Sequence, residues 1–201
     1  MTLTLDKIYN NYRSVEADLR TLLMYVDLDK NNYQTDSAEI RKIVLSSCAM
    51  IEQSLNLVTN KLNTSIRKCS CSAASRIENY LRTNGFDLSI LTPYIRPIYL
   101  TPWERGSLSS KKSCDCYQFD WWQVYNHIKH GKEAGEDKPF KAALDSVAAL
   151  FSIVVFLTSG SRIDLFWNIS DLLKIATKET PKYLNFYNTI STLENKIWQN
   201  K

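Results

Sequence analysis

The densest group of side chains that could do chemistry lies within residues 121–130. This segment holds both histidines of the chain and two of its five tryptophans. Asn126 and His130 are four residues apart, a spacing that stacks two side chains on one face of an α-helix. An amide and an imidazole in that arrangement can position and protonate a phosphodiester. They can equally form an ordinary surface hydrogen bond at a helix end, where the helix dipole favours a histidine.

These side chains need a helix to hold them, and the flanking residues predict one. Asp120 is a favoured residue type for an N-cap, and Gly131 for a helix stop. At about 100° per residue, the apolar residues of the segment share a different face from Asn126, which predicts that this face packs into a core. They are Trp121, Val124, Tyr125 and Ile128. The tryptophans and Tyr125 could also stack bases, but aromatic residues on an apolar helix face are more often core.

Composition predicts one globular, mostly helical domain over residues 1–201. The chain is 44% hydrophobic and contains only five glycines and five prolines, which excludes a disordered protein. The formal charge of +4 tolerates nucleic acid as a partner without requiring it. The N-terminus lacks the pattern of a signal peptide, and the most apolar run, residues 147–157, falls short of the ~20 residues of a membrane span. We therefore expect a cytoplasmic protein with no membrane partner.

Apolar periodicity predicts an all-α bundle of about five to seven helices. Three prolines, Pro93, Pro97 and Pro102, forbid a continuous helix within residues 86–119. That segment is expected to be a proline-rich insertion with short extended pieces at 94–95 and 98–100. The predicted helices cover residues 6–27, 37–62, 72–83, 121–130, 139–157, 163–177 and 181–199.

Residues 147–157 are apolar on nearly every side, with only Ser152 interrupting them. A helix of that kind must be covered all round, either by the core or by a second subunit. Since the run has more apolar surface than packing of one helix face against a core usually buries, we expect a homodimer. Its contact would involve this helix or the helix of residues 121–130.

Two Cys-x-Cys pairs raise the question of a metal. Thiolates from Cys69, Cys71, Cys114 and Cys116 could close a tetrahedral structural zinc site, although the usual spacing is Cys-x-x-Cys. Disulfides in an oxidised preparation, or free thiols in a reducing cytoplasm, are the other two states. No other cofactor is expected. If the two segments meet, nearby basic side chains would gather into a patch for an RNA backbone, unless they are simply solvated. They are Lys61, Arg67, Lys68, Lys111 and Lys112.

Residues 37–157 resemble bacterial HEPN-like proteins. The resemblance rests on a Cys-x-x-x-Glu arrangement in a long helix (Cys48 and Glu52), a proline-rich segment, and a Trp-Trp-x-x-Tyr-Asn-x-x-Lys-His helix ending at His130. Such proteins are helical bundles, commonly dimeric, and many belong to abortive-infection and toxin–antitoxin systems of anti-phage defence. The resemblance implies an RNA-binding and RNA-cleaving effector that needs no metal, and an antitoxin or other defence protein as a further partner.

Catalytically active HEPN ribonucleases carry Arg-Asn-x-x-x-His, which places Asn126 and His130 in the active site. His130 would be the general acid or base and Asn126 would orient it or the phosphate, with Lys129 and Glu52 assisting. Tyr125 stands where the family has arginine, and a phenol cannot carry that cation. This departure favours the competing interpretation, a non-catalytic HEPN-like antitoxin, scaffold or adaptor. His127 could share a metal with His130, but two imidazoles without a third ligand are a weak signal.

Overall fold

The chain forms a helical bundle, as predicted, together with one small sheet. The computed structural model describes residues 4–62, 71–104, 116–132, 137–158 and 169–175. Within these ranges there are five α-helices, a three-stranded sheet and two short 3-10 turns, Lys30–Asn32 and Leu88–Ile90. The helices are α1 (Leu5–Leu22), α2 (Ala38–Lys61), α3 (Ala73–Thr83), α4 (Asp120–Lys129) and α5 (Pro139–Thr158).

Hydroxyl caps fix where the first three helices begin. The side chains of Thr4, Ser37 and Ser72 each accept a hydrogen bond from the backbone N–H three residues later, at 3.1–3.3 Å. The predicted starts of α2 and α3 are therefore confirmed. α3 gives way to a turn in which Gly85 has a φ of +84°. α1 ends at Leu22, short of the predicted residue 27, because residues 23–26 form only hydrogen-bonded turns.

α5 is the centre of the bundle. Every residue of α5 except Lys141 is buried, and the helix packs against α1, α2, α4 and the sheet. Among the described helices, α5 alone has the length and apolar composition to cross a membrane, but 94% of its apolar window is buried inside the protein. The apolar run of residues 147–157 thus belongs to a helix of 20 residues. Its apolar character is explained instead by its place in the core.

The burial of α5 changes the argument for a homodimer. Other elements of the same chain cover this helix, so its apolar surface does not call for a second subunit. The contact with α2 is close because both helices present small polar residues there. The Ser47 hydroxyl donates to Ser146 Oγ at 2.7 Å, which satisfies two buried polar groups. The homodimer stays a prediction, and it no longer has this support.

The proline-rich insertion contributes two of the three strands. β1 (Pro93–Ile95) and β2 (Ile98–Tyr99) form an antiparallel hairpin, which confirms the predicted extended pieces. Pro93 and Ile95 are buried, whereas Tyr99 is exposed. The third strand, β3 (Lys174–Ile175), pairs antiparallel with β1 on its other side, giving the order β2-β1-β3. The predicted helix over 163–177 is therefore wrong for residues 169–175.

A buried carboxylate explains why residues 169–175 are not helical. Glu16 on α1 is fully buried and accepts hydrogen bonds from Tyr12 Oη at 3.0 Å, Arg13 Nη1 at 2.9 Å and the Leu172 backbone N–H at 3.1 Å. The Ser170 hydroxyl also donates to it. A helix would commit the Leu172 N–H to its own ladder. The Leu172 N–H donates to Glu16 instead, because a buried carboxylate without hydrogen-bond partners would cost free energy.

Replacing Glu16 by alanine should therefore destabilise the fold strongly. We expect a loss of about 3–5 kcal/mol, the usual cost of breaking a buried ion pair, because the donors around Glu16 would be left without an acceptor. The matched control is Glu39→Ala on α2. Glu39 is half exposed and pairs with exposed Lys42, so that change should cost less than about 1 kcal/mol. Urea unfolding of both variants gives the comparison, and equal losses would contradict the role of Glu16.

Candidate functional site

The apolar face of α4 anchors the motif segment in the core. Trp121, Val124 and Tyr125 are buried and Ile128 is partly buried against them, so the predicted core face is confirmed. Trp121 Nε1 donates to the Pro102 carbonyl at 2.8 Å, which ties α4 to the proline-rich insertion. The opposite face of α4 is thereby held toward solvent, where it can meet a ligand.

The start of α4 differs from the prediction. Asp120 is the first helical residue, not the N-cap, and Phe119 in the N-cap position makes no side-chain cap. Phe119 is buried between Trp103, with ring centroids 5.3 Å apart, and Trp121, at 5.8 Å. Aromatic packing, not a capping hydrogen bond, therefore sets where this helix begins. Its predicted stop is confirmed, since Gly131 adopts a φ of +64°.

A cleft of about 750 Å³ lies between α2, the first turn of α3 and the outer face of α4. Asn126 lines it from α4, together with Gln118, Gln123 and Trp122. Arg76 and Ser72 line it from the side of α3, and Glu52 from α2. Amides, hydroxyls, a guanidinium and an aromatic ring thus surround one space. This set can donate hydrogen bonds to a phosphate and stack or bond a base.

The two residues of the predicted Asn–His pair lie at different depths. Asn126 is half-buried and lines the cleft, whereas His130 is exposed at the C-terminal cap of α4. His130 comes one turn later on the same face of the helix, beyond the residues that line the cleft. Its ring makes no hydrogen bond or ion pair within the described part of the chain. The imidazole is therefore accessible to a ligand that extends out of the cleft.

Lys129 and Glu52, both predicted to assist catalysis, bind each other. Lys129 Nζ lies 3.3 Å from Glu52 Oε1 and donates to Tyr125 Oη at 3.0 Å. The hydrogen bond that Lys129 donates to Tyr125, and then its contact with Glu52, raise the pKa of Lys129, so the ammonium stays charged. Burial raises the pKa of Tyr125, which stays a neutral phenol. This network clamps α4 to α2, and it pairs the Lys129 ammonium with Glu52.

Two functional candidates were missed in the sequence. The first is Arg76, the guanidinium that shares the cleft with Asn126. No local pattern marks it, because it lies on a different helix far away in sequence. The second is the pair formed by His127 Nδ1 and Asp137 Oδ2, 2.7 Å apart, which joins the end of α4 to the residues before α5. Asp137 lies beyond the α4–α5 connection, so sequence spacing gave no signal of this contact.

One cysteine of each Cys-x-Cys pair is described, and these two lie together at the cleft. Cys71 lines the cleft, and Cys116 is buried beside it. Burial and the hydrogen bond with Cys71 raise the pKa of the Cys116 thiol to about 12. Cys69 and Cys114 lie outside the described residues, so the four-cysteine zinc site stays a prediction. Cys48 is fully buried in α2, which confirms its place in the core.

The remaining metal and basic-patch predictions are only partly covered. Within the described ranges, no group of three or more His, Cys, Asp or Glu side chains is placed to hold a metal ion, so His127 and His130 gain no third ligand there. Of the predicted basic patch, only Lys61 is described. Its ammonium donates to the Phe156 and Leu157 carbonyls at 2.8 and 3.1 Å and so caps the end of α5. The other four basic residues lie outside the described ranges.

Comparison of the chain with protein-family models, with curated proteins and with solved structures found no match. The site must therefore be interpreted from its own residues.

The cysteine geometry leads to a test of the metal prediction. If the thiols are free, Cys116 should react with iodoacetamide near neutral pH about a thousandfold more slowly than an unperturbed cysteine, because only the thiolate reacts. Its raised pKa of about 12 makes that form rare. Peptide mapping by mass spectrometry measures the rate, with Cys71 as the internal comparison. One equivalent of zinc per chain, released in a Cys114→Ser/Cys116→Ser variant, would contradict the free thiols and establish the zinc site.

Proposed function

We propose that this chain is a HEPN-like effector of bacterial anti-phage defence that binds RNA in the cleft between α3 and α4 and cleaves it without a metal. The resemblance of residues 121–130 suggests the activity. The observation that carries the proposal is the shared lining of the cleft by Asn126 and Arg76. Together they offer an amide and a guanidinium to one phosphodiester.

Arg76 would supply the charge that Tyr125 does not. A guanidinium binds a phosphate through two parallel hydrogen bonds and holds its charge at any physiological pH. Arg76 follows the Ser72 cap by four residues, in the first turns of α3, where the positive end of the helix dipole also favours an anion. The amides of Gln118 and Gln123 would bond ribose or base edges in the same cleft.

His130 would transfer the proton. An exposed imidazole can act as general acid or base on a phosphodiester held by Asn126 and Arg76. Lys129 and Glu52 would assist indirectly, because their ion pair holds α4 against α2 and so fixes the position of Asn126. In this role they are positioning residues, since their charges are directed at each other.

A non-catalytic HEPN-like binding protein is the second candidate, and one observation favours it. Tyr125 is buried and Lys129 is paired with Glu52, so neither offers a free cation beside His130. An antitoxin, scaffold or adaptor would use the same cleft to bind RNA or a partner protein and would leave RNA intact. The two candidates therefore differ in cleavage, not in binding.

Assembly and location belong to the same proposal. A homodimer joined near the ends of two α4 helices would frame one larger cleft with two copies of Asn126 and His130. Such an arrangement would let one protomer hold RNA while its partner supplies a proton donor. We place this activity in the cytoplasm, where the transcripts of an infecting phage would be available to it.

Removing the predicted active-site pair should abolish activity without unfolding the protein. Expression of wild type should arrest bacterial growth and cut RNA, while His130→Ala and Asn126→Ala should do neither. Both side chains lie outside the core, so each change should cost within about 1 kcal/mol of stability. Growth curves, RNA 5′-end sequencing and thermal unfolding give the three readouts. Full activity in both folded variants would rule out the catalytic assignment, and binding without cleavage by wild type would favour the second candidate.

Arg76→Gln tests the phosphate contact separately from catalysis. RNA affinity should fall about tenfold, and the slope of log K against log salt should become shallower by roughly one, because one phosphate contact is lost. The control is Arg41→Gln, since Arg41 is exposed on α2 and pairs with Asp36 outside the cleft. Fluorescence anisotropy with labelled RNA at several salt concentrations measures both quantities. Equal effects of the two variants would remove Arg76 from the site.

A further inference from the structure

We propose that His127, oriented by Asp137, is a second proton-transfer group for RNA cleavage and works together with His130. This inference rests on the proposed function and adds a residue that the family motif does not contain. It starts from a contact between two groups that sequence spacing does not connect. His127 Nδ1 lies 2.7 Å from Asp137 Oδ2, and the carboxylate is mostly shielded, with 16% of its side-chain surface exposed.

The geometry places the two imidazoles beside each other. His127 and His130 are separated by three residues at the end of α4, a spacing that puts their Cβ atoms about 5–6 Å apart. They are also the only two histidines in the chain. His127 keeps 39% of its side-chain surface exposed, and His130 is exposed as well. A phosphodiester leaving the cleft past Asn126 would therefore meet both rings.

The contact with Asp137 gives the His127 ring a defined orientation. A carboxylate accepts the hydrogen from Nδ1, so in the neutral ring Nε2 carries the lone pair. Nε2 is then free to take a proton, and in the charged ring it is free to give one. This is the arrangement in which a buried acid holds an imidazole in the correct tautomer for proton transfer. Asp137 is accordingly a positioning residue.

Metal-independent cleavage of RNA needs two such groups. One removes the proton from the ribose 2′-hydroxyl while its oxygen bonds to phosphorus. The other donates a proton to the 5′-oxygen as the bond from phosphorus to that oxygen breaks. The products are a 2′,3′-cyclic phosphate and a free 5′-hydroxyl, and protons and electrons balance with no further reactant. Lys129 and Glu52 are paired with each other, whereas His127 is the imidazole that lies next to His130 on the same helix.

The alternative is that the His127–Asp137 contact only secures the connection between α4 and α5. His127→Asn separates the two roles. The asparagine amide nitrogen takes nearly the place of Nδ1 and can still donate to Asp137, but it cannot transfer a proton near neutral pH. If the contact is purely structural, asparagine should preserve activity. If His127 transfers a proton, the asparagine variant should be as inactive as His127→Gln.

The experiment uses full-length protein and an RNA oligonucleotide spanning the strongest cleavage site mapped in cells that express wild type. His127→Asn should bind it within about twofold of wild type and lose roughly 10²–10⁴-fold in single-turnover cleavage rate. Asp137→Asn, which keeps the ring but loses its orientation, should lose about tenfold or more. Wild-type products should carry the 2′,3′-cyclic phosphate.

A nucleoside 3′-(p-nitrophenyl phosphate) then shows which proton each ring transfers. Its leaving group needs no proton, so the variant that lacks the general acid should recover most of its rate, and the variant that lacks the general base should not. We expect one of His127→Asn and His130→Gln to recover and the other to stay slow.

Wild-type rates of RNA cleavage in His127→Asn would overturn the role of His127 and leave the proposed function intact. Absence of cleavage by wild type would overturn both. If His127→Asn does not fold, Asp137→Asn decides, and an unchanged rate there overturns the inference.

Discussion

From Val147 onward α5 is apolar on nearly every side, and a helix of that kind is stable in water only where other elements cover its whole circumference. α1, α2 and α4 pack along it, and β1 of the proline-rich insertion covers the remaining side. The need to cover α5 explains where the other elements of the fold lie. The insertion must fold back onto the core, which it does through buried Pro93 and Ile95. The segment after α5 must return to the bundle, and buried Glu16 holds it there through Ser170 and the Leu172 N–H.

The candidate site is a consequence of the same packing. The aromatic face of α4 is buried because α4 packs against α5. The rings of Trp121 and Phe119 fix both the position and the start of α4. The other face is left to form one wall of a cleft whose opposite wall is α3. Because α4 is short, at 10 residues, its orientation depends on tertiary contacts more than on its own helical stability. The Lys129–Glu52 pair and the His127–Asp137 pair provide two of them, on different sides of the helix.

The distribution of charge separates the two functional candidates. A binding protein needs only the cleft, where Arg76 and the amides can hold a phosphate and a base. An RNA-cleaving enzyme would also need a proton acceptor and a proton donor, and the two imidazoles lie at the solvent end of α4. Along one face of α4, Gln123 and Asn126 line the cleft, and His130 follows them at the end of the helix. That order would suit a strand of RNA that enters the cleft and leaves across the imidazoles.

What the sequence alone determined depends mostly on local periodicity. The helical class, the starts of α2 and α3 at Ser37 and Ser72, the stop at Gly131 and the buried face of α4 all depend on neighbours within about one turn. The tertiary structure decided what depends on contacts between distant residues. Phe119 replaced Asp120 as the N-cap because its ring is buried between Trp103 and Trp121. Residues 169–175 became extended because a carboxylate on α1 captured a backbone donor that a helix would have used. Arg76 came to line the same cleft as Asn126, and Asp137 came to contact His127, through chain folding that no spacing encodes. Periodicity shows which face of a helix is buried, but only packing determines which side chains meet across the remaining face.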